Sequence, residues 1–360
     1  MSGALIAITT KIHFYVAFCH LNFAICRGGI AAFRLRELKM INRSRHFFYP
    51  GEAVPEGYVR VTMLGTGTPF PRRGQAGTCM FVEAGEQKIF FDCGPGSSAN
   101  FTSLGIPFDL ADKVILTHHH VDHIGDLGSF WVGGWTYGRR TPLRVWGPGG
   151  TEKIVEHHRG IYEWDLSTRT PLLKNLRGKE IQAHDYEEGT IFDEGGVKVS
   201  AFKVTHTDPQ NSYGLKLEAF GKKLIFSGDT KKCDALINNA QNADVIIHEA
   251  FPPAEIYAEK SGRPLALARQ VCEVIHTSPS EAGAVFAATQ PKLGIIFHMY
   301  NNDDLIAPAL DDVRKNYEGK VIIGQDLMVV DIGDEILVRK AVVDDKPWPV
   351  APAGVKIGEN

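Results

Sequence analysis

One stretch of the chain decides its fold, and it reads Thr117-His118-His119-His120-Val121-Asp122-His123-Ile124-Gly125-Asp126. It starts at the end of Lys113–Thr117, a short apolar run with the composition of a β-strand. The potential metal ligands in it are His118, His120, Asp122 and His123. Imidazole and carboxylate groups together suit Zn²⁺ or a similar divalent ion, and so many polar groups are costly to bury without a partner. The stretch therefore predicts a metal-binding loop between a strand and a helix.

Three further potential ligands each follow a predicted strand. His206 comes after Val197–Val204, Asp229 after Lys223–Phe226, and His298 after Leu293–Phe297. Taken singly, each could equally be a helix cap or an ordinary core residue. Taken together, they provide enough ligands for two ions about 3.5–4 Å apart, with a carboxylate to bridge them.

Composition sets the class of protein. The chain has 360 residues, with 39 Lys and Arg against 42 Asp and Glu, and 44% of its residues are hydrophobic. This excludes a disordered chain, and the net charge of −3 argues against a dedicated nucleic-acid binder. Six cysteines without a C-x-x-C pair do not indicate a disulfide framework. Strands and helices alternate in both halves, which favours mixed sheets with helices on their outer faces.

The amino terminus has two interpretations. Residues 12–26 contain no Lys, Arg, Asp or Glu and resemble the apolar part of a signal peptide, although the stretch is shorter than a membrane span. If residues 1–39 are a signal, the protein is periplasmic or secreted. If they are a non-catalytic extension, it is cytoplasmic. In either case we expect a catalytic domain over residues 40–345, a loose tail over 346–360, and no association with a membrane.

These motifs resemble the metallo-β-lactamase-fold superfamily. The resemblance implies an α/β fold in which two mixed β-sheets pack face to face with helices outside, a four-layer αβ/βα sandwich. It implies that His118, His120 and His206 hold one metal, that Asp122, His123 and His298 hold a second, and that Asp229 bridges them. The implied cofactor is Zn²⁺, two ions per chain, with Mn²⁺ or Fe²⁺ as alternatives.

Within the superfamily the chain looks most like the tRNase Z branch. Phe91-Asp92-Cys93-Gly94 resembles a motif in which Asp92 braces the metal loop. His248-Glu249-Ala250 resembles the His-Glu-Ala-Thr motif, although residue 251 is Phe. His276-Thr277-Ser278 resembles an element whose histidine donates a proton. The resemblance implies that Glu249 orients His276. In the mechanism we expect, Asp122 accepts a proton from the water that bridges the two metal ions.

Two departures from that branch bear on the substrate. The segment between Trp146 and Val197 contains a helix, a charged stretch and a hairpin-like end instead of the long arm that clamps tRNA. The last metal histidine is followed by Asp303 and Asp304, whose charges would repel phosphate. The chain in this respect resembles an armless subgroup that includes β-lactam hydrolases.

Four residues are candidates for substrate binding. Trp131, Trp135 and Tyr300 could form an apolar wall for a small substrate, with core packing as the alternative for the aromatic side chains. Arg72, in the pair Arg72-Arg73, could clamp a carboxylate or phosphate, with solvated surface as the alternative.

We therefore expect a dinuclear-zinc hydrolase that uses a metal-bridged hydroxide to cleave a small molecule such as an ester, lactone, β-lactam or activated aryl ether. One alternative is a tRNase Z-type endoribonuclease that processes the 3′ end of tRNA, for which nucleic acid would be the partner. Another is the metal-binding subunit of a hetero-oligomeric hydrolase. A homodimer is the expected assembly.

Overall fold

The protein is built on two mixed β-sheets. The computed structural model describes residues 45–173, 175–207, 211–346 and 348. A compact unit begins at His46, and of the unit before it only Arg45 is described. The predictions for residues 1–39 and for most of the tail after residue 346 thus lie outside the described residues. Among those that are described, no helix has both the length and the apolar character needed to cross a membrane.

The strands of the first sheet come from both ends of the unit. They are β1 (Phe47–Phe48), β2 (Val59–Gly65), β3 (Cys79–Ala84), β4 (Gln87–Phe91), β5 (Lys113–Ile115), β6 (Leu143–Pro148), β7 (Ile181–Tyr186), β15 (Met328–Ile332) and β16 (Ile336–Ala341). Their order in the sheet is β1-β16-β15-β2-β3-β4-β5-β6-β7. The pairs from β15–β16 to β3–β4 are antiparallel, whereas β4, β5, β6 and β7 run parallel.

The second sheet is built from the middle of the chain and repeats this mixed pattern. Its strands are β8 (Gly189–Glu194), β9 (Val197–Lys203), β10 (Tyr213–Ala219), β11 (Lys222–Phe226), β12 (Val245–Glu249), β13 (Leu293–Phe297) and β14 (Val321–Ile323). They lie in the order β14-β13-β12-β11-β10-β9-β8. Strands β8 to β11 pair antiparallel, and β11 to β14 pair parallel.

Helices connect these strands. The α-helices are α1 (Ser97–Ser103), α2 (Val121–Ile124), α3 (Gly134–Thr136), α4 (Thr151–Ile161), α5 (Glu163–Arg169), α6 (Asp234–Ala240), α7 (Ala254–Ser261), α8 (Leu265–Arg269), α9 (Pro279–Thr289) and α10 (Asp303–Arg314). Short 3₁₀ turns span Phe108–Leu110 and Arg177–Lys179, and π-helical turns span Ser129–Gly133 and Gln270–Ile275.

Three apolar clusters show how the layers pack. The central one joins the facing sides of the two sheets, where the ring centroids of Phe91 and Phe226 lie 6.1 Å apart and those of Phe226 and Phe297 lie 5.0 Å apart. A second cluster packs Phe90 of the first sheet against Phe101 of α1. The third packs the second sheet against α6, α9 and α10. The order of layers is helix, sheet, sheet, helix, which confirms the predicted αβ/βα sandwich.

Strand polarity brings the candidate ligands to one edge. Strands β4 and β5 are parallel, as are β11, β12 and β13. The carboxyl ends of parallel strands meet at a common edge, so the loops after them are neighbours. Asp92, the metal loop, Asp229 and His298 follow the ends of four of these strands, and Glu249 is the last residue of β12.

A buried ionic network ties the antiparallel half of the first sheet together. Arg60 Nε on β2 donates to Asp331 Oδ1 on β15 at 2.7 Å, and Arg339 Nη2 on β16 donates to Asp331 Oδ2 at 2.6 Å. All three residues are buried. The two guanidinium groups therefore share one buried carboxylate, and Arg339 Nη1 also pairs with Glu52 Oε2 at 2.7 Å.

We predict that Asp331→Ala lowers the free energy of unfolding by about 3–5 kcal/mol, because it removes the carboxylate that the buried Arg60 guanidinium donates to and one of the two that Arg339 contacts. Urea denaturation would measure the change. The matched control is Asp334→Ala, since the Asp334 side chain is 96% exposed in its contact with Lys222. The control should unfold like the wild type, and an Asp331→Ala protein of unchanged stability would contradict the prediction.

Candidate metal centre

The loop after β5 is packed directly on the loop after β4. Cys93 donates its backbone N–H to the His123 carbonyl at 2.7 Å. A Cβ atom at Gly94 would lie 2.0 Å from the Asp122 carbonyl oxygen, so only glycine permits this approach. Helix α2 is one turn long and carries both Asp122 and His123 inward, where each is buried. The predicted metal loop is therefore a tightly constrained segment.

Asp92 holds the metal loop in place through hydrogen bonds to two of its residues, Thr117 and His123. Its Oδ1 accepts from the Thr117 N–H at 2.7 Å, and its Oδ2 accepts from Thr117 Oγ1 and lies 2.8 Å from His123 Nδ1. Burial raises the pKa of Asp92, while His123 opposes that rise. Asp92 also has a φ of 60°, a left-handed conformation that is unusual outside glycine. Because Nδ1 of His123 is bonded to Asp92, the other ring nitrogen of His123, Nε2, points toward Asp229.

The first set of candidate ligands is His118, His120, His206 and Asp229, with one ligand atom of each within 4.8 Å of the others. The Nε2 atoms of His118 and His206 each lie 3.8 Å from Asp229 Oδ2. His206 Nε2 lies 3.2 Å from His120 Nδ1. Two ligands bound tetrahedrally to one Zn²⁺ lie about 3.4 Å apart, so these separations fit one ion.

The second set is Asp122, His123, Asp229 and His298, which meet the same 4.8 Å limit. His298 Nε2 lies 3.0 Å from Asp122 Oδ2 and 3.2 Å from Asp229 Oδ2. His123 Nε2 lies 3.2 Å from Asp229 Oδ1. Asp229 thus belongs to both sets and lies between them.

Unpaired polar atoms show that this donor set fits metal ions. Within the described residues, five buried atoms here have no hydrogen-bond partner: His118 Nε2, Asp122 Oδ1, His123 Nε2, Asp229 Oδ1 and His298 Nδ1. Buried polar atoms without partners are rare and costly in folded proteins. His123 Nε2 and Asp229 Oδ1 approach to 3.2 Å without hydrogen-bond geometry, which is the arrangement of two ligands of one ion.

Burial keeps the histidines of the first set neutral. It lowers the pKa of His118 well below its ordinary value, lowers that of His120, and lowers that of His206 to about 4. Neutral imidazole is the form that binds a metal. This set is therefore in its ligating form at neutral pH.

The second set is held by opposite charges. Burial would lower the pKa of His123, but the surrounding carboxylates, Asp229 foremost, hold it well above its ordinary value. The pKa of His298 is raised by the same carboxylates against its burial. Burial would raise the pKa of Asp229, but His123 and His298 keep it well below its ordinary value. Without a metal, protons on these histidines supply the positive charge.

Glu249 and His276 form a buried pair beside both sets. Glu249 Oε1 accepts from the Thr230 N–H and lies 2.9 Å from His276 Nδ1. Ser278 begins α9 with a capping box, which fixes the chain just after His276. The His276 ring centroid lies 5.0 Å from that of His206 and 5.1 Å from that of His298. The structure thus brings Glu249 and His276 together with the seven candidate ligands, of which Asp122 is one.

The two tryptophans do not form an open wall. Trp131 is 1% exposed and its Nε1 donates to the Lys179 carbonyl, while Trp135 is 2% exposed and donates to the Asn175 carbonyl. The expectation that they line a substrate site is therefore wrong. Both side chains pack in the interior beside the first sheet, the alternative that their size favours.

Arg72 and Tyr300 contact each other beside the segment that follows His298. Arg72 Nη1 donates to Asn302 Oδ1 at 2.7 Å and Nη2 donates to Asn301 Oδ1 at 3.1 Å. Its Cζ lies 4.8 Å from the Tyr300 ring centroid, a cation–π contact. Arg72 is exposed and tied to the segment after His298. A role in substrate binding stays a prediction for both residues.

Asp326 is a functional candidate that sequence reasoning missed. Its carboxylate accepts from the N–H and Oγ1 of Thr66, from the Ala76 N–H and from Asn100 Nδ2, at 2.7–3.0 Å. Burial raises its pKa to about 6. The Thr66 carbonyl in turn accepts from the His298 N–H at 2.9 Å. Its position just after β14, another parallel strand end, was the available signal.

Comparison with known proteins agrees with this geometry. Residues 87–299 match a family described as Beta-lactamase superfamily domain. Ribonuclease Z of Mycobacterium bovis is 28% identical over 284 residues, covering 76% of this chain and 98% of the relative. The solved metallo-beta-lactamase fold protein YhfI of Bacillus subtilis has a TM-score of 0.57 at 18% identity, over 76% of this chain and 99% of that one. The short form of human tRNase Z has a TM-score of 0.53 at 19% identity, over 76% and 99% respectively.

The family match spans more than half of the chain, and the two solved structures share its fold. Together with the cluster of histidines and aspartates at the strand ends, this establishes that the chain belongs to the beta-lactamase superfamily and is a metal-dependent hydrolase with the metallo-β-lactamase fold.

Proposed function

We propose that this hydrolase cleaves a phosphodiester bond in RNA, with His276 as the proton donor to the leaving oxygen. The observation that carries the proposal is the buried Glu249–His276 pair beside both ligand sets. A ribose oxygen leaves as a strongly basic alkoxide unless it is protonated, so its departure calls for a general acid. An activated aryl ester needs no such acid. The relatives named Ribonuclease Z support the same class of substrate.

The donor set supports a centre with two divalent cations. In this proposal His118, His120 and His206 would hold one ion, Asp122, His123 and His298 the other, and Asp229 both. Zn²⁺ suits these ligands best, with Mn²⁺ or Fe²⁺ as alternatives. When bound, such a pair lowers the pKa of water toward about 7 and stabilises negative charge on the substrate.

The side chains divide the proton transfers between them. Asp122 Oδ2 faces His298 at 3.0 Å, while the buried Oδ1 has no partner within the described residues and is suited to accept the proton of the attacking water. His276, held at Nδ1 by Glu249, presents Nε2 for proton donation. Donor and acceptor thus lie on different loops, as attack and departure on opposite sides of phosphorus require.

Hydrolysis of a small ester, lactone or β-lactam is the second candidate. The observation that favours it is the connection between β6 and β7, which in its described part consists of α4, α5 and a 3₁₀ turn, with no long arm to clamp RNA. The charges of Asp303 and Asp304 are a weaker argument against RNA than the sequence suggests. Lys260 forms an ion pair with Asp304 and so offsets one of the two charges that would repel phosphate.

We predict that Asp229→Asn lowers the zinc content from two ions per chain to below one, because both sets lose a shared ligand. Metal analysis after dialysis against a weak chelator would measure this. Asp193→Ala, which removes an exposed carboxylate of the same sheet, serves as the control and should keep both ions. Full zinc loading of the Asp229→Asn protein would count against the bridging role.

Zinc binding should release protons at pH 7. The raised pKa values of His123 and His298 mean that protons must leave before these nitrogens bind a cation. Affinity should therefore increase as the pH rises. Calorimetric titration of the metal-free protein in two buffers of different ionisation enthalpy would give the number released, and a value of zero would contradict the assignment.

His276→Ala should lower kcat on a precursor tRNA with a 3′ trailer by about 10²–10⁴-fold, since general acids contribute roughly this factor. Its zinc content should stay that of the wild type. His157→Ala is the matched control, because His157 is exposed on α4, and it should retain full activity. A panel of chromogenic esters and β-lactams, assayed in parallel, tests the second candidate. If the protein hydrolyses members of this panel but does not cleave RNA, the proposed function is wrong and small-molecule hydrolysis takes its place.

A further inference from the structure

Phe251 occupies an unusual place beside the proton donor. It lies two residues after the end of β12, directly after His248-Glu249-Ala250. The His-Glu-Ala-Thr motif, which this stretch resembles, has a threonine at that position. The residue is 4% exposed, and its N–H donates to the Thr277 carbonyl at 2.9 Å. Its backbone is therefore tied to the residue next to His276.

The side chain of Phe251 stacks on the imidazole. The two ring centroids lie 4.3 Å apart with an interplanar angle of 20°, a nearly parallel face-to-face contact. The same phenyl ring lies 5.5 Å from the His298 ring. Phe251 therefore covers one face of His276 and borders the second ligand set.

A small core holds this ring in place. Phe251, Ala254, Tyr257, Ala268 and Cys272 form one buried cluster under α7 and α8. Tyr257 and Phe251 meet edge to face with ring centroids 5.6 Å apart, and Tyr257 stacks in turn on Tyr300. A side chain locked by such packing can hold a neighbour in a fixed orientation.

Glu249 and Phe251 constrain different motions of the imidazole. The bond from Nδ1 to Glu249 fixes where one nitrogen lies, but it leaves the ring able to tilt about that bond. A flat phenyl face in parallel contact opposes the tilt, because rotation toward the phenyl ring collides with it and rotation away from it loses the stacking contact. Threonine offers no such face.

We propose that Phe251 is a positioning residue that holds the ring plane of His276 so that the Nε2 proton faces the leaving oxygen. The inference rests on the proposed function of His276. In the step concerned, the water oxygen forms a bond to phosphorus and gives its proton to Asp122. The bond from phosphorus to the ribose oxygen breaks, its electron pair stays on that oxygen, and the oxygen takes the proton from Nε2.

The test compares two phosphodiesters on the zinc-loaded enzyme. In the dinucleotide UpU the leaving ribose oxygen needs a proton, whereas in bis(4-nitrophenyl) phosphate the nitrophenolate leaves without one. Phe251→Leu keeps an apolar side chain and removes the flat face, and Phe251→Tyr keeps the face. We expect the loss of kcat in Phe251→Leu to be at least tenfold larger on UpU than on the nitrophenyl substrate, and Phe251→Tyr to restore most of it.

Matched variants separate the possible failures. Phe286→Leu also removes a buried phenyl ring, one that meets His248 edge-on, and should change both rates by the same factor. Equal losses on both substrates for Phe251→Leu would overturn the inference. Should that protein fail to fold, Phe251→Met against Phe251→Tyr makes the same comparison. If His276→Ala loses kcat equally on UpU and on the nitrophenyl substrate, His276 is not the proton donor and the proposed function fails. If His276→Ala loses more on UpU but Phe251→Leu loses equally on both, only the positioning role of Phe251 fails.

Discussion

The active end of the molecule depends on one buried carboxylate, that of Asp229. It lies within 3.8 Å of four histidine nitrogens, which come from loops of both sheets. A carboxylate with no access to water is stable only where positive charge surrounds it. The same requirement that makes the site suitable for cations therefore also fixes how the two sheets meet at this edge.

Three further carboxylates outside that cluster hold its members in place. Asp92 orients His123, Glu249 orients His276, and Asp326 fixes Thr66, which bonds to the backbone of His298. Asp92 and His298 both have left-handed backbones, with φ values of 60° and 62°. Such conformations cost about 1–3 kcal/mol each and persist where the surroundings enforce them. The strained residues Asp92 and His298 are thus held by the hydrogen bonds described above, as expected of a pre-organised site.

The features that local sequence encodes were predictable. A strand that ends in closely spaced histidines and aspartates predicts its own metal loop, and His206, Asp229 and His298 were found because each also follows a strand. Features set by contacts between distant segments were not predictable: the paired tryptophans gave no sign that backbone carbonyls more than 35 residues away receive their indole N–H groups. Asp326 and the helices over residues 254–275 were missed for the same reason, since their partners are supplied only by the folded chain.

The central claim is that seven side chains, with Asp229 in the middle of the other six, bind a pair of cations. The most direct measurement is the anomalous difference map of crystals of the zinc-loaded protein, recorded on both sides of the zinc absorption edge. The account predicts two peaks, one among His118, His120 and His206 and the other among Asp122, His123 and His298, with the Asp229 carboxylate between them. Zinc peaks elsewhere on the protein, or none at this edge of the sheets in a zinc-saturated crystal, would contradict it.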